Sequence, residues 1–305
     1  MAKENTTKSA RPKTLIDFIE EFTRYFSGST QLKCYRGQRD ASWPIVPGLF
    51  RQEFKGLLKD EKIAVRKLIS VQPHEFASDE TMFEKLVRMQ HFGLPTRLLD
   101  VSRNALVALF FATDPGPSHC EPSNGMVTAF AIPPQLEKYY DSDSVSCIAN
   151  LANMSFEEKT EISRLIGSLN GDISDKANII TLNKTDVIER LLQFIKAEKP
   201  YFQPMIDPLD LLVPYYVHPK MSNRRILAQS GAFILYGIIP SNKRFFPYVI
   251  EETKFVIPQP EKSRIREALD NIGINESTLF PEIDRAATRI KNDYTKAGMA
   301  SKIAK

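Results

Sequence analysis

Residues 90–113, QHFGLPTRLLDVSRNALVALFFAT, constrain the fold more than any other stretch. The run 103–113 is almost wholly apolar, and a helix that is apolar on every side cannot lie at a surface. Immediately before it stand Gln90, His91, Thr96, Arg97 and Asp100. Polar groups drawn toward a core must each find a partner. The block is therefore either a satisfied polar turn, with Asp100 pairing Arg97, or a site at the mouth of a buried helix. Ser102 is expected to cap that helix, and Gly93-Leu94-Pro95 must break the one before it.

Periodicity organises the remainder. Leu15, Phe18, Ile19, Phe22 and Phe26 fall on one face of a helix over residues 13–26. Residues 31–37 read as a strand ending at Gly37, followed by a loop at 43–48. Helices are expected at 59–71 and 81–92, the second with Ser78, Asp79 and Glu80 as capping candidates, and a strand at 125–132. An acidic, helical stretch covers 136–200, with helices at 155–168 and 184–197. Strands follow at 211–217, 231–239 and 248–257, then a helix at 261–272 and a last one opened by Pro281. Strands alternating irregularly with helices make the chain α+β, without a doubly wound βαβ cadence.

The net charge of +4 (41 Lys+Arg against 37 Asp+Glu) is unevenly spread. Residues 1–13 carry +3 and residues 285–305 carry +5, which leaves −4 for the body. Within the body, residues 24–103 hold fourteen basic and nine acidic groups, and residues 104–223 nine basic and fifteen acidic. The one positive stretch of the body thus coincides with its densest motifs, which favours a localised anion pocket; the basic ends offer loose contact with polyanions. No apolar run approaches the ~20 residues of a membrane span, and the first residues lack the apolar stretch of a secretory signal, so a cytoplasmic protein is expected.

Two further constellations stand out. Tyr35-Arg36-Gly37-Gln38 ends a strand: an Arg fork suits a phosphate and the glycine permits close ligand approach, while the alternative is a surface ion pair beside a turn. Asn223-Arg224-Arg225, with Gln229 and Gly231, either lines a site or is a helix ending at a glycine before a core strand. Phosphate-binding glycine loops, the nucleophile elbow and the H-E-x-x-H helix are absent. Cys34, Cys120 and Cys147 are scattered, so no metal site is expected.

The order YRGQ, WPIVPGLFR, QHFGLPTRLLDVSRNALVALFFA and NRRILAQSGAF, with ESTLFPEID near the end, resembles the FRG domain family over about residues 30–240. That resemblance implies a split, strongly bent, mixed β-sheet of ADP-ribosyltransferase type, with surrounding helices, and NAD as substrate; the helical stretches of 136–200 themselves read as a helical insertion or subdomain. Carried over, Arg36 takes the first-strand position and Gly37 the glycine that holds the nicotinamide amide. The stretch containing Phe110 and Phe111 is the aromatic segment, and Gln229 stands where a catalytic Glu is usual. A Gln can position but cannot take a proton, so Asp100 is the candidate acid.

The resulting expectation is a basic tail and helix at 1–29, an FRG-like domain at 30–245 and a C-terminal part at 246–305. Arg36, His91, Asp100 and Gln229 are the candidate catalytic residues. Tyr35, Arg36, Gly37, Gln38, Arg97, Phe110 and Phe111 are the candidate NAD ligands. The implied function is a toxin-like or phage-defence transferase acting on a macromolecule, with RNA or DNA as the candidate acceptor given the basic ends, and countered by an antitoxin or regulatory protein. The competing expectations are a non-catalytic nucleotide-binding module and, less favoured for lack of clustered carboxylates, a nuclease.

Overall fold

In the computed structural model the described residues are 9–28, 30–117, 121–221, 223–239 and 250–281. The basic stretch 285–305 and the helix expected after Pro281 lie outside them.

Among the described residues the strands form one mixed eight-stranded sheet. They are β1 (Ser9–Ala10), β2 (Leu32–Gln38), β3 (Leu98–Ser102), β4 (Gly125–Ile132), β5 (Glu137–Tyr139), β6 (Tyr215–His218), β7 (Gly231–Leu235) and β8 (Glu251–Ile257). Their order is β1-β8-β4-β2-β3-β7-β6-β5, with β1/β8 and β5/β6 parallel and the remaining pairs antiparallel. The central joint is slight. β2 pairs β4 from Leu32↔Ile132 to Gln38↔Met126, and β3 pairs β7 from Leu98↔Leu235 to Ser102↔Gly231. β2 and β3 meet only at Tyr35↔Ser102 and part beyond it.

Alternation along the strands feeds two cores. On one face Tyr35, Val127, Ala129 and Phe255 pack against α1 (Leu15–Phe26), α5 (Ala105–Ala112) and α11 (Lys262–Asn271). α1 starts at a capping box between Thr14 and Asp17, and its Phe18 and Phe22 rings meet Phe255. On the other face Cys34, Phe130, Tyr216 and Ile234 share a core with α4 (Met82–His91), α6 (Asp143–Ala149), α7 (Phe156–Gly167) and α9 (Asp186–Glu198). α2 (Lys55–Lys59), α3 (Glu61–Val71), α8 (Lys176–Asn183), α10 (Arg224–Ala228) and α12 (Glu276–Leu279) complete the helices among the described residues.

The apolar run is as buried as its composition requires, because α5 lies directly on the sheet. A Cβ on Gly37 would stand 1.7 Å from the Ala108 carbonyl oxygen, and one on Gly125 would stand 2.0 Å from that of Ala112. Small residues one turn apart on the helix face glycines on the strands, and the two backbones touch.

Several expectations need correction. Residues 98–102 form a strand rather than a lead-in to the helix, and the cap of α5 is Asn104, whose Oδ1 accepts from Leu106 N–H at 2.9 Å. Ser102 instead accepts from Asn104 N–H and donates to the Gln229 carbonyl. α4 is capped by a Thr81/Glu84 capping box, not by Ser78, Asp79 or Glu80. The strand read over 211–217 begins only at Tyr215, because Pro208–Leu211 coils into a 3₁₀ turn first. The helices of the acidic middle join the same core as β3 and β7.

Candidate functional site

Where β2 and β3 part, a cleft of about 270 Å³ opens. It is lined by Tyr35, Arg36 and Gly37 of β2, Gln90 and His91 of α4, Asp100 to Ser102 of β3, Phe111 of α5, and Arg225, Gln229 and Gly231 around α10. Segments far apart in sequence thus share one cavity. Arg36 spans the gap: its Nη1 donates to the Asp100 carbonyl at 2.7 Å and lies 4.0 Å from Asp100 Oδ2. A side chain thereby occupies an acceptor that a continuous sheet would give to a neighbouring strand.

The cleft is electropositive. Burial lowers the Arg36 pKa from its usual value, an effect the Asp100 charge offsets only in part, and its Nε is sealed from solvent without an acceptor. The Arg225 guanidinium lies 5.0 Å from the Phe280 ring and makes no hydrogen bond or ion pair among the described residues. Asp100 is the one carboxylate lining the cleft among those residues, and its Oδ2 also accepts from Gln90 Nε2 at 2.7 Å. Two arginines against one engaged carboxylate favour an anionic ligand.

Local folding explains these positions. α4 ends in a Schellman motif: Gly93, at φ +89°, donates to the Gln90 carbonyl, and Leu94 N–H donates to Met89. That sharp stop leaves Gln90 free to hold the following loop, accepting from Thr96 N–H and Oγ1 while donating to Asp100. His91 then faces the cleft. Asn223 Oδ1 accepts from Arg225 N–H as the α10 cap, so its amide NH₂ donates to His91 Nδ1 at 2.9 Å. That places the proton of the neutral ring on Nε2. Gln229 donates to the Leu279 carbonyl at 3.0 Å, and the next residue, Ser230, holds φ at +46°, a left-handed conformation rare outside glycine. The Ser230 carbonyl accepts from Arg103 N–H at 2.8 Å, tying the α10–β7 corner to the end of β3.

Tyr35, Arg36, Gly37, His91, Asp100, Phe111 and Gln229 all line the cleft. Three residues expected at the ligand lie elsewhere. Arg97 is 1% exposed, with Nε and Nη2 bound by Glu61 at 2.9 and 2.6 Å and Nη1 donating to the Tyr236 carbonyl at 3.0 Å. Gln38 turns toward the Trp43 and Pro44 carbonyls at 3.4 and 3.5 Å. The Phe110 ring sits beneath Arg266 at 3.9 Å, and its carbonyl accepts from that guanidinium. Asp100 does not pair Arg97. Of the Asn223-Arg224-Arg225 constellation, Asn223 and Arg225 line the cleft; sequence reasoning missed Phe280, which lies within the ESTLFPEID segment and stands behind the cleft wall. Phe280 packs edge-on against Phe111 as well as under Arg225.

Among the described residues no group of three or more His, Cys, Asp or Glu could hold a metal ion, and no helix is long and apolar enough to cross a membrane. Comparison with known families matches the FRG domain to residues 31–119, the span from the start of β2 past the end of α5. Gln229 and Arg225 fall outside that match. Neither the curated proteins nor the solved structures give a match.

Proposed function

Residues 31–119 form an FRG domain, and from that premise we propose that the cleft binds NAD and transfers ADP-ribose to a macromolecular acceptor. One observation carries the reading: the parting of β2 from β3, spanned by Arg36, gathers Tyr35, Arg36, Phe111 and Gln229 around a single electropositive cavity. A dinucleotide needs cations for its pyrophosphate and an aromatic wall for a planar ring. Arg36 and Arg225 supply the first and Phe111, backed by Phe280, the second.

In that chemistry the C1′–N bond to nicotinamide breaks and nicotinamide leaves with the electron pair. The ribose carries positive charge, and an acceptor oxygen or nitrogen bonds to C1′ and releases its proton. Asp100, the carboxylate lining the cleft, is the group that would stabilise the charge and take the proton in this reading. His91 is a poorer base, since its Nδ1 lone pair is engaged by Asn223. Gln229 positions through its amide and backbone. A toxin-like or phage-defence role and a nucleic-acid acceptor are extensions of this proposal.

A second reading, nucleotide binding without turnover, is favoured by the engagement of Asp100 by both Gln90 and Arg36 and of the Gln229 amide by Leu279. Incubation with adenylate-labelled NAD and lysate separates the two. Transfer expects nicotinamide release and labelled macromolecules, abolished in Arg36→Ala and lowered about 100-fold or more in Asp100→Asn. Binding without release in the native protein selects the second reading, and full activity in Arg36→Ala removes Arg36, and with it this cleft, from the reaction.

A further inference from the structure

A smaller cavity of about 210 Å³ adjoins the cleft and shares Arg36, Gln90 and Asp100 with it. The cation it adds is Arg51, at the end of the 3₁₀ turn Gly48–Phe50. That turn is rigidly placed: Leu49 is fully buried and its N–H donates to the Thr96 carbonyl at 3.1 Å, while Gly48 packs against Pro95 closely enough that a Cβ would stand 3.0 Å from the proline Cβ. Arg51 is thus held against the loop that joins α4 to β3.

Its guanidinium makes no hydrogen bond or ion pair among the described residues, and its Nε is closed off from solvent. Arg36 Nε is in the same condition. Two arginines that line one cavity therefore each carry a buried donor without an acceptor, and native proteins rarely leave such donors unmatched. The cavity's one acid among the described residues, Asp100, is already held by Gln90 and lies 4.0 Å from Arg36. The two arginines are close enough for the Arg51 charge to disfavour protonation of Arg36, a repulsion that an anion between them would relieve.

We propose that Arg36 and Arg51 form a two-pronged seat for a phosphoryl group, so that the cavity takes the phosphate of a ligand whose remainder occupies the cleft. Phosphate suits the pair better than a single carboxylate, because two planar forks can satisfy several oxygens at once and its charge can reach −2. This deepens the reading of Arg36 as a phosphate ligand, rests on it only to that extent, and requires no transfer chemistry.

Calorimetry on the full chain tests the seat with inorganic pyrophosphate, inorganic phosphate and ADP-ribose as probes. Arg51→Ala should weaken pyrophosphate by roughly tenfold or more, the loss expected for a charge-assisted contact. Arg51→Lys should recover part of the affinity, and Arg66→Ala, an exposed cation of α3, should leave it unchanged. Tighter binding of ADP-ribose than of pyrophosphate, with the same Arg51 dependence, assigns the seat to a nucleotide; equal binding of phosphate alone assigns it to the free anion. Melting curves establish that each variant is folded. The proposal is overturned if native protein binds none of the three, if folded Arg51→Lys and Arg51→Ala both bind as native does, or if Arg66→Ala weakens binding as much as Arg51→Ala. Failure of NAD turnover with these affinities intact removes the transferase reading and keeps the seat.

Discussion

Gly37 shows how one residue can satisfy two readings. Its sequence context offers a glycine whose backbone meets a ligand, and it does line the cleft. Yet its missing side chain is accounted for by α5, since a Cβ would stand 1.7 Å from the Ala108 carbonyl oxygen. Backbone faces backbone there, so neither side can rotate away. Gly37→Ala should therefore cost about 3 kcal/mol, at the upper end of overpacking, read as a lower urea midpoint with an unchanged slope. Native-like stability with weakened ligand binding would instead make the glycine a ligand residue alone. Arg97 and Arg36 illustrate the limit of reading residues singly. Both are arginines inside dense motifs, but Glu61, 36 residues from Arg97, claims one and a gap between strands exposes the other. Sequence distance carries no trace of either partner.

At the scale of elements, α4 and β3 position Gln90, His91 and Asp100 of the site, and their junction is a backbone device. Gly93 sits at φ +89°, and nothing lies within 4 Å of where a Cβ would stand on it, unlike Gly37, so its constraint is conformational and not steric crowding. Gly93→Ala should cost roughly 1 kcal/mol from the left-handed geometry, and Gly93→Asn less, because asparagine tolerates that region. Denaturant midpoints measure both, and equal losses for Ala and Asn would point to a steric cause. The stop after α4 was legible, as were α1, β2, β4, α9 and α11, because Gly-Leu-Pro and clean periodicities mark them. β3 was not: its Leu98, Leu99 and Val101 run into the apolar helix behind them, and a short buried strand has the same composition as a buried helical turn. The joint at Tyr35↔Ser102, and with it the cleft, depends on that strand.

Over the whole molecule, ion pairs inside the fold join the basic first third to the acidic middle. Glu61 of α3 binds Arg97, and Lys159 of α7 donates to the same carboxylate at 2.6 Å, so one buried triad fastens the middle helices to the segment that leads into β3. Regional charge counts assign Arg97 to a ligand pocket, whereas its charge is engaged in this contact. Burial alone would raise the Glu61 pKa, but the Arg97 and Lys159 charges and their hydrogen bonds reverse that effect and hold it below its usual value. A carboxylate held low in the fold contributes stability that is complete above its ordinary range and fades as pH falls through the folded value. Glu61→Gln should thus cost about 3–5 kcal/mol near neutral pH, since it strands two buried cations. The gap to native protein should begin to narrow only as pH falls below the ordinary carboxylate range, as the native carboxylate takes up its proton at its lowered pKa. Urea midpoints through and below that range measure it, and a gap that stays constant or widens toward acid would show that the triad's charge contributes nothing to holding the two regions together.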